Sequence, residues 1–303
     1  MARSSAVPLS PSSAPPVWEG YGYGLLGVVV FSLTLPMTRV AVAELSPLLI
    51  GLGRALVAAI PAIALLVLTR SRVPDRREWS GVILAAIGIV AGWPLASTLA
   101  MQTVPSSHGA VVNGLLPLST AAFAVWRSGE RPSPRFWLWA LAGAALVTAY
   151  ALRQGHGELQ AADLWLLLAV LLGGMGYAEG ARASRTLGGW RTICWALAIS
   201  APVLALPVGW MALEAAMPSR EALFACAYLA FGSMFLGFFA WYRGLAVGGI
   251  ARVGQIQLLQ PFLTVLAAAL VFGESVDPGT FVFAVAVIAI IAGGRRALVG
   301  GSR

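Results

Sequence analysis

The chain has 303 residues, 59% of them hydrophobic and only 11% charged, with a mean hydropathy of +0.83. So much apolar surface with so few charges excludes a soluble globular protein and specifies an integral membrane protein. All 20 basic residues are arginine, and they sit between apolar segments instead of forming one basic face, so the pI near 10.5 reads as charged membrane loops and not as a nucleic-acid surface.

The first 18 residues, MARSSAVPLSPSSAPPVW, are rich in Ser and Pro, with one arginine and no compact apolar core leading to a cleavage site. They are expected to form a disordered tail and not a cleaved signal peptide. Ten apolar runs follow, at 22–42, 47–69, 80–103, 107–127, 135–153, 163–185, 190–212, 221–242, 250–272 and 279–298. Each approaches the ~20 residues a helix needs to cross a ~30 Å hydrocarbon layer. In lipid, backbone N–H and C=O groups find partners only within their own segment, so the runs are expected to be helices. The expected fold class is an all-α polytopic membrane protein with ten transmembrane helices. The two cysteines, Cys194 and Cys226, lie in apolar stretches and read as small packing residues, with no disulfide framework or metal motif. With the N-terminus inside, 16 of the 20 arginines fall on the inner side and only Arg39, Arg54, Arg153 and Arg220 on the outer. Both termini are therefore expected in the cytoplasm.

The run 97–134 returns at 241–278, shifted by 144 residues. Pro117 falls on Pro261, Thr120 on Thr264, Leu115 on Leu259, Gly129-Glu130 on Gly273-Glu274 and Pro134 on Pro278, and the register holds back to Pro74/Pro218 and Arg76/Arg220. At the first helix of each half, matching Phe31 to Tyr177 and Arg39 to Arg185 requires an offset of 146. The chain thus divides into a tail (1–18) and two five-helix repeats, 19–153 and 154–303. Five is odd, so the second repeat is expected upside down relative to the first. Inverted repeats around a midplane site are a common construction of secondary transporters.

These features resemble the EamA family of the drug/metabolite transporter superfamily. The resemblance rests on the doubled five-helix unit, Arg54-Ala55 early in the second helix, the run YRGLAVGGIARVGQIQLLQPF, and Gly-Glu-x-x-x-Pro before the last helix of each half. It covers roughly residues 20 to 298. It implies a ten-helix carrier in a bacterial-type inner membrane, and it is compatible with the subgroup that exports amino acids, including aromatic ones.

The fourth and ninth helices carry polar stripes at helical spacing: Gly109, Asn113, Pro117 and Thr120, and Val253, Gln257, Gln260/Pro261 and Thr264. An amide in hydrocarbon costs several kcal/mol without a partner. Asn113, Gln257 and Gln260 are therefore expected to line a cavity, whereas Thr120 and Thr264 read as interhelical hydrogen-bonding groups. Pro117 and Pro261 each free a carbonyl one turn earlier, and read either as hinges or as passive packing. Trp93, Tyr177, Trp241 and Tyr242 are the aromatic candidates for the cavity, and Ser97 and Gln102 give the third helix a polar face. Glu179 is the acid well inside an apolar segment, and reads either as a proton or ammonium site or as a structural partner of Arg182 three residues on. Arg54 reads either as a carboxylate receptor or as a paired, snorkelling arginine; the resemblance implies a structural or gating role. His108 opens the fourth helix opposite Arg252 in the repeat, which places both at helix entrances.

A small amphipathic metabolite is thus the expected substrate, the lipid bilayer the surroundings, and protons or a counter-substrate the candidate coupling partners. No cofactor, metal or ATP-binding motif is expected, and no residue pattern specifies an oligomer. A lipid translocase or a membrane assembly subunit would use the same bundle. An intramembrane enzyme would have Gly232-Ser233 for a nucleophile, with His108 in the other repeat.

Overall fold

A computed structural model describes residues 17–104, 106–155, 161–272 and 278–299, and the described residues contain helices and no strand. The helical stretches are α1 Val17–Val42, α2 Pro47–Leu68 and α3 Arg76–Ala100, then α4 in two pieces, Ser106–Asn113 and Leu116–Ser128. They continue with α5 Pro134–Gly155, α6 Ala161–Leu187, α7 Gly189–Glu214 and α8 Arg220–Gly248. Next comes α9, as Ile250–Gly254, a 3₁₀ segment Gln255–Leu259 and Gln260–Phe272, and last α10, Pro278–Val299. Among the described residues, seven stretches are long and apolar enough to cross a membrane. Helix α1 already includes Val17 and Trp18, two residues of the expected tail. The rest of the tail and Gly273-Glu274 lie outside the described residues, as does the side chain of His108.

Local chemistry sets the helix ends. Ser46 accepts a hydrogen bond from the Leu49 amide just ahead of Pro47, which opens α2. Asp75 and Glu78 form a reciprocal capping box at the start of α3. Gly129 ends α4 at φ 66°, a left-handed conformation that favours glycine.

The repeat is visible in the element boundaries. Helices α5 and α10 start and end 144 residues apart, and so do the second pieces of α4 and α9. Helices α3 and α8 begin at the equivalent residues Arg76 and Arg220. Both then pass into π-helical segments, Ala86–Gly92 and Tyr228–Leu236, whose last residues are again 144 apart. The packing exchanges the halves: α1 lies on α8 and α6 on α3, while α2 meets α7 and α5 meets α10. Backbone contact at glycine makes the two exchanged pairs close. A Cβ at Gly20 would stand 2.6 Å from the Gly248 Cα, and one at Gly88 2.4 Å from the Leu172 carbonyl oxygen. Small residues at such crossings give dispersion contact where the hydrophobic effect supplies no drive.

Candidate substrate cavity

Both π-helical segments open onto one small central cavity. Ile89 from the first and Ser233 and Met234 from the second line it, together with Phe31 and Thr34 of α1, Arg54 of α2, Trp93 of α3, Tyr177 of α6, Phe238 of α8 and Gln260 of α9. The space is about 20 Å³, room for roughly one water, so no solute fits it in this conformation. A π turn inserts a residue into the helical repeat, which alters the direction of its side chains and is frequent at functional sites.

The polar groups form a chain along one wall. Gln257 Nε2 donates to Gln260 Oε1 at 3.1 Å and to the Tyr177 hydroxyl at 3.4 Å. Gln260 Nε2 donates to the Phe31 carbonyl at 3.3 Å, and Gln257 Oε1 is buried without a hydrogen-bond partner. On the opposite half, Trp93 Nε1 donates to Asn113 Oδ1 at 3.1 Å. Rings back this chain: Tyr177 meets Trp241 edge-on at 5.3 Å, and Phe31 meets Phe238 at 4.9 Å. Such pairs add roughly 0.5–1.5 kcal/mol beyond their buried area.

Arg54 is 4% exposed, and its Nε and Nη2 are buried without a hydrogen-bond partner. Its guanidinium carbon lies 5.5 Å from the centre of the Trp93 ring, a cation–π contact. Glu179 is equally buried but fully served. Arg127 Nε donates to one carboxylate oxygen at 2.5 Å, and Arg182 Nη2 and Nε donate to the other at 2.7 and 3.0 Å. This cluster belongs to an arginine-rich end of the bundle, where α6 finishes and α3 and α9 begin. There Arg72 holds Glu78 through two hydrogen bonds of 2.8 and 2.6 Å. Glu130 accepts from Arg185 at 2.7 Å and from the Ile250 and Ala251 amides at 2.9 Å. The Gly-Glu motif thereby has a physical account: glycine turns the chain out of α4, and glutamate caps the first turn of α9 in the other repeat.

Of the residues expected in the cavity from sequence, Trp93, Tyr177 and Gln260 line it, Gln257 and Asn113 bond to its lining, and Arg54 reaches it. Trp241 and Tyr242 are fully buried behind the lining; Tyr242 donates to the Gly176 carbonyl at 3.1 Å. Ser97 turns back to the Pro94 carbonyl at 3.2 Å, and Gln102 stands exposed in the turn after α3. Pro117 and Pro261 sit at the first turn of the second pieces of α4 and α9. There the helix is interrupted, at residues 114–115 in one case and by the 3₁₀ segment in the other. The Thr120 and Thr264 hydroxyls, expected to bond across helices, are buried without a partner. Phe31, Thr34, Ile89, Ser233, Met234 and Phe238 were not anticipated as lining. Ser233 shares a 2.8 Å hydrogen bond with Thr34. The paired π segments that present Ile89, Ser233 and Met234 carry no residue signature, although Ala86/Ala230 and Gly88/Gly232 do obey the 144-residue register.

A helical membrane bundle built twice, with a small polar and aromatic cavity where the halves meet, defines a carrier-type protein. The EamA-like transporter family model matches twice, over residues 18–150 and 160–293, and the chain belongs to that family. It is 44% identical over 284 residues to the "Uncharacterized transporter YdeK" of Bacillus subtilis (strain 168), covering 92% of this chain and 97% of the relative. A solved crystal structure of a protein at 19% identity has the same fold, with TM-score 0.71 over 93% of this chain and 99% of that one.

Proposed function

We propose that the protein is a secondary transporter of small amphipathic metabolites, exporting neutral or aromatic amino acids or related compounds by alternating access. In this reading all ten helical stretches cross a bacterial-type inner membrane, both termini are cytoplasmic, and 19–153 and 154–303 are inverted repeats. The observation that carries it is the cavity at the junction of the repeats. Its amide chain offers a spare acceptor, Gln257 Oε1, beside an aromatic wall, a combination suited to a solute with both polar and apolar parts.

Helices α4 and α9 are interrupted next to the residues that reach the site, Asn113 in one and Gln257 and Gln260 in the other, as in transporters built from inverted repeats. The ion pairs of Glu179, Glu130 and Glu78 close the arginine-rich end. Opening toward that side would separate Arg127 from Glu179, and Glu130 from Arg185 and the α9 amides, so these contacts act as a gate, while the Arg182–Glu179 and Arg72–Glu78 pairs move with their own helices and Pro117 and Pro261 mark the hinges. Protons or a counter-substrate supply the driving gradient.

Purified protein in liposomes tests this reading through flux of a labelled metabolite panel, with and without a pH gradient. Asn113→Leu and Gln257→Leu are expected to lower flux at least about tenfold, roughly the 1.4 kcal/mol of one lost polar contact, while leaving the protein folded. Full flux in both variants would remove these residues from the site. An apolar groove beside α2 favours a second reading, a lipid translocase, for which lipid scrambling in the same liposomes is the measurement.

A further inference from the structure

Arg54 faces two spaces. One is the central cavity, too small for a solute. The other is an apolar groove of about 320 Å³ between α2, α7 and α8, lined by Leu49, Gly53, Val57, Val208, Cys226 and Phe231 among others, with Arg54 as its charged residue. The groove falls at the lower end of the ~300–1,000 Å³ typical of ligand pockets.

A guanidinium held in an apolar surround without a carboxylate is costly unless something arrives to satisfy it. Here Nε and Nη2 are the two unpartnered buried nitrogens. They lie on one edge of the planar guanidinium, spaced to take both oxygens of a carboxylate in parallel. The Trp93 ring, 5.5 Å from the guanidinium carbon, is the aromatic face beside it.

We propose that Arg54 is the carboxylate receptor of the transport cycle, and that the groove holds the apolar body of a small free carboxylic acid. The inference rests on the carrier reading above and narrows its substrate to carboxylates. Among the described lining residues Arg54 alone is charged, which provides for one carboxylate and not for the phosphate, glycerol and ester groups of a phospholipid. The remainder of the lining is apolar, which suits a single anionic group on a hydrocarbon or aromatic body better than a multiply charged ion.

The test pairs aromatic and aliphatic carboxylates with their carboxamides, which have the same shape and no charge. Two readouts are used: flux into liposomes, and the thermal midpoint of the purified protein with each compound. Wild type is expected to carry the carboxylate at least about tenfold faster than the carboxamide, one lost charge-assisted contact, and to be stabilised by the carboxylate alone. Arg54→Gln is expected to abolish the difference, and Arg54→Lys to retain part of it, because lysine keeps the charge but loses the fork. A Cβ at Gly53 would meet Leu49 and Val208 only at 3.6 and 3.7 Å, so Gly53→Met fills the groove without a backbone clash. It should slow long-bodied carboxylates more than short ones.

A preference that survives Arg54→Gln, no preference in wild type, or Gly53→Met flux independent of body length overturns the proposal and leaves the carrier reading standing. If Arg54→Gln fails to fold, the wild-type flux ratio and thermal shift decide. Absence of flux for every compound overturns the carrier reading instead; the thermal shift then still reports whether Arg54 binds carboxylate. Scrambling of fluorescent phosphatidylglycerol with no carboxylate flux assigns the groove to lipid and overturns both.

Discussion

Arg54 and Glu179 are both charged, both inside apolar helices and both almost wholly buried, yet they are provided for in opposite ways. Glu179 receives hydrogen bonds from two arginines on two helices, whereas Arg54 has a tryptophan face and two idle N–H-bearing nitrogens. Burial alone therefore does not separate a structural charge from a working one; the partners do. A satisfied buried charge cannot be removed without stranding its counter-ions, whereas an unsatisfied one costs stability and is free to receive a ligand.

The comparison breaks most directly in unfolding experiments. Glu179→Gln leaves Arg127 and Arg182 facing each other without a counter-charge. Breaking a buried pair this way costs ~3–5 kcal/mol when both ions are enclosed. Arg127 and Arg182 are 36% and 29% exposed, which sets the expected loss nearer about 2–3 kcal/mol after solvent screening. Arg54→Met, which exchanges an unpaired buried charge for an apolar side chain of similar length, should not lower stability, because the lost cation–π contact is worth only about 0.5–2 kcal/mol and the desolvation cost of the charge is relieved. Denaturant unfolding in detergent measures both; the reverse ranking would mean that Arg54 is the structural charge.

Glu130 lies between these extremes, since its side chain is 18% exposed and divides its oxygens between Arg185 and two amides. Glu130→Ala removes a cap and an ion pair and should cost about 1–2 kcal/mol. The effect should be local: amide exchange at 250–254 accelerates, while the centre of α6 keeps its protection. Uniform acceleration would show instead that this contact holds the two repeats together.

Most of the architecture was legible because lipid imposes strong rules. Long apolar runs, arginine between them and a register shared by Pro117/Pro261 and Pro134/Pro278 were enough to anticipate helices and a duplicated unit. The cavity was legible only in part. Gln257 and Gln260 announce themselves because an amide among leucines is conspicuous, but Ile89 and Met234 look like any other membrane residue until a π turn directs them inward. Ser97 shows the opposite failure, since a hydroxyl satisfied by the carbonyl three residues back needs no cavity. For Arg54 and Glu179, sequence spacing exposed the local partner Arg182 but not Arg127, 52 residues away, and could not reveal that Arg54 Nε and Nη2 have no hydrogen-bond partner among the described residues.

The smallest expected effect comes from an exposed charge. Glu44, in the link between α1 and α2, accepts from the Ser219 hydroxyl at 2.5 Å and the Ser219 amide at 2.7 Å. These donors hold its carboxyl below the ordinary value of 4.5. A carboxyl whose pKa is lower in the folded protein than in the unfolded chain binds fewer protons when folded. The latch therefore contributes stability above about pH 4.5, and the contribution disappears as pH falls through the lower folded value. Glu44→Gln keeps an acceptor for Ser219 but cannot titrate. The wild-type thermal midpoint should accordingly fall more than that of Glu44→Gln between pH 5.5 and 3.5, with the two curves parallel at higher pH. Parallel curves throughout would show that the link follows the helices it joins and does not clamp them, leaving Glu179 and Glu130 as the acids that matter to closure.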